Sequence, residues 1–124
     1  METNLILPDE MPHPPEELHR SGREFFHSLV TEFPLPFHVG RGFRATLRNL
    51  PRFATAFPRM PRGPWNMNQW IDEGDILEIG YRAEEWMVDF YLGFFEALAD
   101  YFGECIFILS QTLRHQVKLR VVFA

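Results

Sequence analysis

The stretch AEEWMVDFYLGFFEALADYF, Ala83–Phe102, decides the fold. It reads as one helix of about five and a half turns at 3.6 residues per turn. Its polar residues Glu85, Asp89, Glu96 and Asp100, with Gly93 in the same line, fall in a strip only about 80° wide at 100° per residue. Trp86, Met87, Phe90, Tyr91, Phe94, Phe95, Leu98, Tyr101 and Phe102 cover most of the remainder. A surface helix shows the reverse balance, so this one is expected to be covered on two or three sides. A second copy of the chain is one candidate for part of that cover, since wide apolar patches mark interfaces.

The segments around it supply the cover. Upstream, Trp65–Ile71 and Ile76–Tyr81 read as two strands of a hairpin joined by Asp72-Glu73-Gly74-Asp75. Downstream, Gly103 stands where a left-handed helix cap belongs. Glu104–Ser110 reads as a central strand, 111–116 as a turn, and Val117, Leu119, Val121 and Phe123 alternate with Lys118 and Arg120 in a last strand. Residues 15–33 read as a second helix, opened by Pro15, Glu16 and Glu17 and stopped by Pro34 and Pro36. Its apolar face is Leu18, Gly22, Phe25, Phe26, Leu29 and Phe33, opposite Glu16, Arg20, Glu24 and His27. Residues 37–50 fit both periods. Phe43, Ala45 and Leu47 alternate as in a strand, while Phe43, Leu47 and Leu50 also line one side of a helix. Gly40 and Gly42 tilt the reading to strand. Residues 1–14 read as an extended arm, and 51–64, with Pro51, Pro58, Pro61 and Pro64, as an irregular Pro/Arg loop with one turn at Phe53–Phe57. The expected fold is a single α+β domain over 1–124, an antiparallel sheet of four to five strands with two helices on one face.

Composition excludes several classes. The chain has 124 residues, 46% of them hydrophobic and 15% aromatic, enough for one real core and too apolar for disorder throughout. No run approaches the eighteen or so uninterrupted apolar residues of a membrane span. The start has no basic n-region, and the only cysteine is Cys105, so a cytoplasmic, soluble protein is expected. Cys105 opens a core strand in this reading, where an inert buried thiol belongs. No HExxH, P-loop, G-x-S-x-G or paired-cysteine motif occurs, and nothing calls for a cofactor, a metal or a catalytic residue. Glu16-x-x-His19 and Glu24-x-x-His27 have metal-site spacing, but both lie on one helix with no facing carboxylates, so a solvated face explains them.

Charge is segregated. Residues 41–62 carry six Arg and no acid, while 65–105 carry ten acids and one Arg. The acids Asp72, Glu73, Asp75 and Glu78, with Glu85 and Asp89 beside them, suggest a docking face for a basic protein, gained through steering. The bases Arg41, Arg44, Arg48, Arg52, Arg59 and Arg62, interleaved with Phe43, Phe53, Phe57 and Trp65, have the make-up of a single-stranded nucleic-acid contact, though pairing with the acidic stretch accounts for them better. On this basis the chain reads as a small non-enzymatic protein-binding module, an inhibitor or immunity-type protein neutralising a basic partner. The alternative is a nucleic-acid-binding or regulatory protein using Arg41–Arg62. A third reading is a small-ligand binder or enzyme with a pocket lined by Trp65, Trp70, Tyr81 and Trp86.

Overall fold

The computed structural model describes residue 8 and residues 13–32, 42–52 and 62–124. The elements run α1 (Pro15–Glu32), α2 (Phe43–Arg48), β1 (Met67–Asp72), β2 (Ile76–Arg82), α3 (Val88–Tyr101), β3 (Ile106–Leu113) and β4 (Gln116–Phe123). Short 3-10 turns sit at Leu50–Arg52, Pro64–Asn66 and Glu85–Met87. The four strands form one antiparallel sheet in the order β1-β2-β4-β3. The two hairpins are local, and the β2–β4 pairing joins them across the length of α3.

Strand alternation gives the sheet two unlike faces. Leu77, Ile79 and Tyr81 of β2 oppose Val121, Leu119 and Val117 of β4, and all six are buried against α3. α3 buries Phe90, Tyr91, Phe94, Phe95 and Leu98, and α1 lies across its other side with Leu18, Phe25, Phe26 and Leu29 buried. The layers meet ring to ring. Phe26 and Phe94 stand 5.5 Å apart, Phe25 and Phe90 5.5 Å, Trp65 and Phe94 5.4 Å, in the tilted and edge-on geometries that aromatic quadrupoles favour. The wide apolar arc of α3 is therefore covered within one chain, which removes the reason for expecting a second copy on that helix.

The polar strip of α3 is not simply solvated, because α1 crosses over it. Gly22 and Gly93 meet at the crossing, where a Cβ on either would run into the backbone carbonyl of Phe90 or of His19. Beside the crossing Arg23 donates to Asp100 at 2.6 Å, and His19 Nε2 bonds Glu96 Oε2. Two glycines and an opposite-charge rim thus fix α1 on α3.

Several boundaries differ from the sequence reading. Residues 43–48 are helical, not a strand. Gly42, at φ 87, serves as the N-cap, the Thr46 hydroxyl donates to its carbonyl, and Phe43, Leu47 and Leu50 bury together on one side. The glycine that argued against a helix is the residue that starts it. The long helix begins at Val88: β2 runs on to Arg82, the Ala83 N–H donates to the His115 carbonyl and extends the β2–β4 ladder, and a 3-10 turn at Glu85–Met87 leads into the helix. Pro64–Asn66 turn before β1 starts at Met67, and β3 runs to Leu113. Gly103, at φ 71, caps α3, with the Glu104 N–H on the Ala99 carbonyl. Phe33, most of the 1–14 arm and Phe53–Phe57 lie outside the described residues.

Gly80 leaves a gap on the outer sheet face that two amides fill. Asn68 and Gln116 bond reciprocally at 3.0 and 3.1 Å above it, tying β1 to β4 over the top of β2.

Candidate functional site

The acidic set does not form one face. Asp72, Glu73 and Asp75 sit at the tip of the β1–β2 hairpin, where Asp72 Oδ1 accepts the Gly74 N–H and Gly74 takes φ 82. Glu85 and Asp89 lie past the other end of β2, about 20 Å away at 3.3 Å per residue. Glu78 is on the outer sheet face and already engaged. Arg120 donates to it from Nη2 at 2.8 Å and Nε at 3.1 Å, and Lys118 stands 3.8 Å away. The Arg120 hydrogen bonds hold its carboxyl below the usual carboxylate range. The sequence put these acids in one run of chain, but a full strand separates them in space.

Two of these arginines, Arg44 and Arg48, lie over aromatic rings. Arg44 lies over Phe123 at 4.1 Å, pairs with Asp72 at 3.8 Å and donates to the Gly74 carbonyl. Arg48 lies 5.2 Å from the centre of the Trp70 ring. These are cation–π and ion-pair contacts that fasten α2 to the sheet. Arg62 is exposed, and its carbonyl accepts from Tyr91 at 3.0 Å. Arg41 and Arg59 fall outside the described residues, and Arg52 lies in the 3-10 turn after α2.

The densest chemistry lies between helix and sheet. Trp65, Tyr81 and Tyr91 are buried there, with Tyr91 5.8 Å from Tyr81 and 6.1 Å from Trp65. Burial pushes both phenols above their ordinary pKa of 10.0, so they stay neutral donors. Tyr91 spends its proton on the Arg62 carbonyl, whereas the Tyr81 O–H has no partner among the described residues. Trp70 and Trp86 are only half-buried and flank this layer rather than line a pocket in it. An unmet buried donor costs about 1–3 kcal/mol. Tyr81→Phe is therefore expected to leave stability unchanged or raise it by about 1 kcal/mol, and Tyr91→Phe to lower it by about 1 kcal/mol. Urea unfolding of both variants checks this. A loss at Tyr81→Phe equal to that at Tyr91→Phe shows that its hydroxyl is bonded after all.

Two shallow surface depressions accompany this layer. One, of about 230 Å³, lies on the outer sheet face among Glu78, Leu109, Ser110, Gln111, Lys118 and Arg120. The other, of about 300 Å³, lies at the C-terminal end of α3 near Asp100, Glu104 and Cys105. Cys105 is exposed, not the buried thiol expected of a core strand, because β3 is an edge. The rim formed by His19, Arg23, Glu96 and Asp100 went unread in the sequence. Its signal was there: two pairs of charges at four-residue spacing, one pair on each helix. Among the described residues no group of three or more His, Cys, Asp or Glu could hold a metal, and no helix is long and apolar enough to cross a membrane.

No family model matches the chain, and no curated protein does. Solved structures do. Cs H-NOX, in a variant with 4-cyano-L-phenylalanine, superposes with a TM-score of 0.73 at 20% identity, over 88% of this chain and 62% of that one. An oxygen-binding H-NOX domain related to soluble guanylate cyclases gives 0.71 at 21% identity, over 88% and 61%. A variant of the T. Tengcongensis H-NOX gives 0.68 at 20% identity, over 88% and 63%. The chain thus has an H-NOX-like fold and spans about three fifths of the length of these structures. This likeness corrects the expectation of an inhibitor or immunity-type protein. One of the neighbours is an oxygen-binding domain, and the acidic face on which that expectation rested is split in two.

Proposed function

We propose that this chain is a ligand-responsive module of the H-NOX architecture, taking a small ligand rather than neutralising a basic protein. The observation that carries this is the superposition on H-NOX domains over 88% of the chain. A cytoplasmic location belongs to the same reading. The heme of the H-NOX family is the subject of one of the similar structures, and an oxygen complex of another. The described residues do not fit a heme. The space between α1, α3 and the sheet is filled by Phe25, Phe26, Trp65, Phe90, Phe94 and Phe95. His13, His19, His27 and His115 all lie at the surface, with His19 committed to Glu96. His38 lies outside the described residues. No step is therefore derived through that group. What this core offers instead is an unmet donor beside Tyr91, the Tyr81 O–H, which suits a small uncharged ligand with an acceptor atom.

The test combines absorption with thermal melting. One equivalent of hemin is expected to give only the broad absorption of loosely adsorbed pigment. A sharp Soret band abolished by a single histidine substitution overturns the filled-core reading. A panel of small acceptor ligands is expected to contain one that raises the melting temperature and quenches Trp65. Saturation at a hundredfold over Kd adds about 2.7 kcal/mol. A panel without any stabilising member overturns ligand response itself.

A further inference from the structure

β3 is an edge strand with none of the usual protection. Its eight residues, IFILSQTL, carry no charge and no proline, the two devices that keep edges from pairing. On its outer face Phe107, Leu109 and Leu113 are 64, 50 and 75% exposed. The opposite edge, β1, is blunted: its register breaks between Met67 and Gln69, and it carries Asn68, Gln69 and Asp72.

The β3–β4 register fixes which groups face outward. The Ala124 N–H donates to the Cys105 carbonyl, so residues 105, 107, 109, 111 and 113 turn their backbone groups toward β4. Ile106, Ile108, Ser110 and Thr112 then present N–H and C=O to the free side. Just beyond each end stands a charge, Glu104 and Arg114, both exposed and in no ion pair among the described residues. In an antiparallel pairing with Leu109 opposite Leu109 of a second copy, Glu104 comes opposite Arg114 of that copy. Ile106 then bonds Thr112 and Ile108 bonds Ser110, and Leu109 falls on a close, non-hydrogen-bonded pair. The register that matches the backbone groups is also the one that matches the charges.

We infer that β3 pairs antiparallel with β3 of a second copy, about a two-fold axis at Leu109, making one continuous sheet with a shared apolar outer row. The contact is isologous, as a two-fold dimer requires, and uses strand addition. It is small, so it belongs with weak and transient interfaces.

Sedimentation and light scattering at about 100 µM, suited to an interface of this class, are expected to show a mass moving toward twice the 14.7 kDa of the chain. Leu109→Glu sets two like charges on the axis and is expected to weaken association by roughly tenfold or more. Ser110→Pro removes an outward N–H without touching the β3–β4 ladder and is expected to abolish pairing. Glu104→Arg and Arg114→Glu are each expected to weaken it, and the double exchange to restore it. Circular dichroism confirms that each variant is folded. A wild-type monomer at this concentration overturns the inference. So does a dimer indifferent to Leu109→Glu, which places the contact elsewhere, or a charge exchange that fails to restore pairing.

Discussion

Gly22→Ala and Gly93→Ala are each expected to destabilise the protein by about 3 kcal/mol or more, the upper end for overpacking a close contact. Two effects oppose each other. Alanine is a better helix former than glycine by about 1 kcal/mol, and both positions are inside helices. Against that, the new methyl would occupy the space of a backbone carbonyl on the other helix, Phe90 from Gly22 and His19 from Gly93. A carbonyl cannot swing away like the end of a side chain, so the helices themselves must move apart. That separation strips contacts from Phe25, Phe26, Phe90 and Phe94 together. Chemical denaturation of the single variants decides it. A gain in stability at either position would mean that the helices do not approach this closely.

The second large effect is at the rings. Phe94→Ala is expected to cost about 3–5 kcal/mol, as is Phe95→Ala. Phe94 touches Phe25, Phe26, Trp65 and Phe95, with ring centres 5.4 to 6.1 Å away. Those rings come from α1, a 3-10 turn and α3, and no single shift of one element closes the hole. Phe95 faces the sheet side, 6.3 Å from Tyr81. Phe107→Ala is the control. Phe107 is exposed on β3, and its loss should fall within about 0.5 kcal/mol. Equal stability of Phe94→Ala and wild type would refute the claim that α3 is covered on both sides.

The architecture was legible where one period dominated. The apolar arc over 88–101 and the alternation of 117–123 each admit one reading, and the α+β order followed from them. Residues 43–48 were not legible, because Phe43 and Leu47 satisfy both a two-residue and a four-residue repeat. Only burial against Leu50 and the Thr46–Gly42 bond separates the two. Gly93 was counted with the polar strip because a single helix cannot reveal what crosses it. The acidic set was misplaced in space for a different reason. Nearness along the chain became distance in space once β2 intervened between Asp75 and Glu85. The internal pairing of arginines held at Arg44, through Asp72. The likeness to H-NOX domains had no signature of its own, since at 20% identity it is carried by the path of the backbone.

The crossing of α1 on α3 has a kinetic side. His19 and Glu96 are 77 residues apart in the chain, while each hairpin closes over a few residues. Loop-closure entropy rises with length, so the hairpins and α3 can form before α1 has anything to dock on. Among the described residues α1 packs chiefly on α3 and Trp65, and none of its backbone joins the sheet. Its amides should therefore exchange with solvent through a partial opening that leaves the four strands protected. Of the two long helices, α1 would be the later to dock and the first to leave.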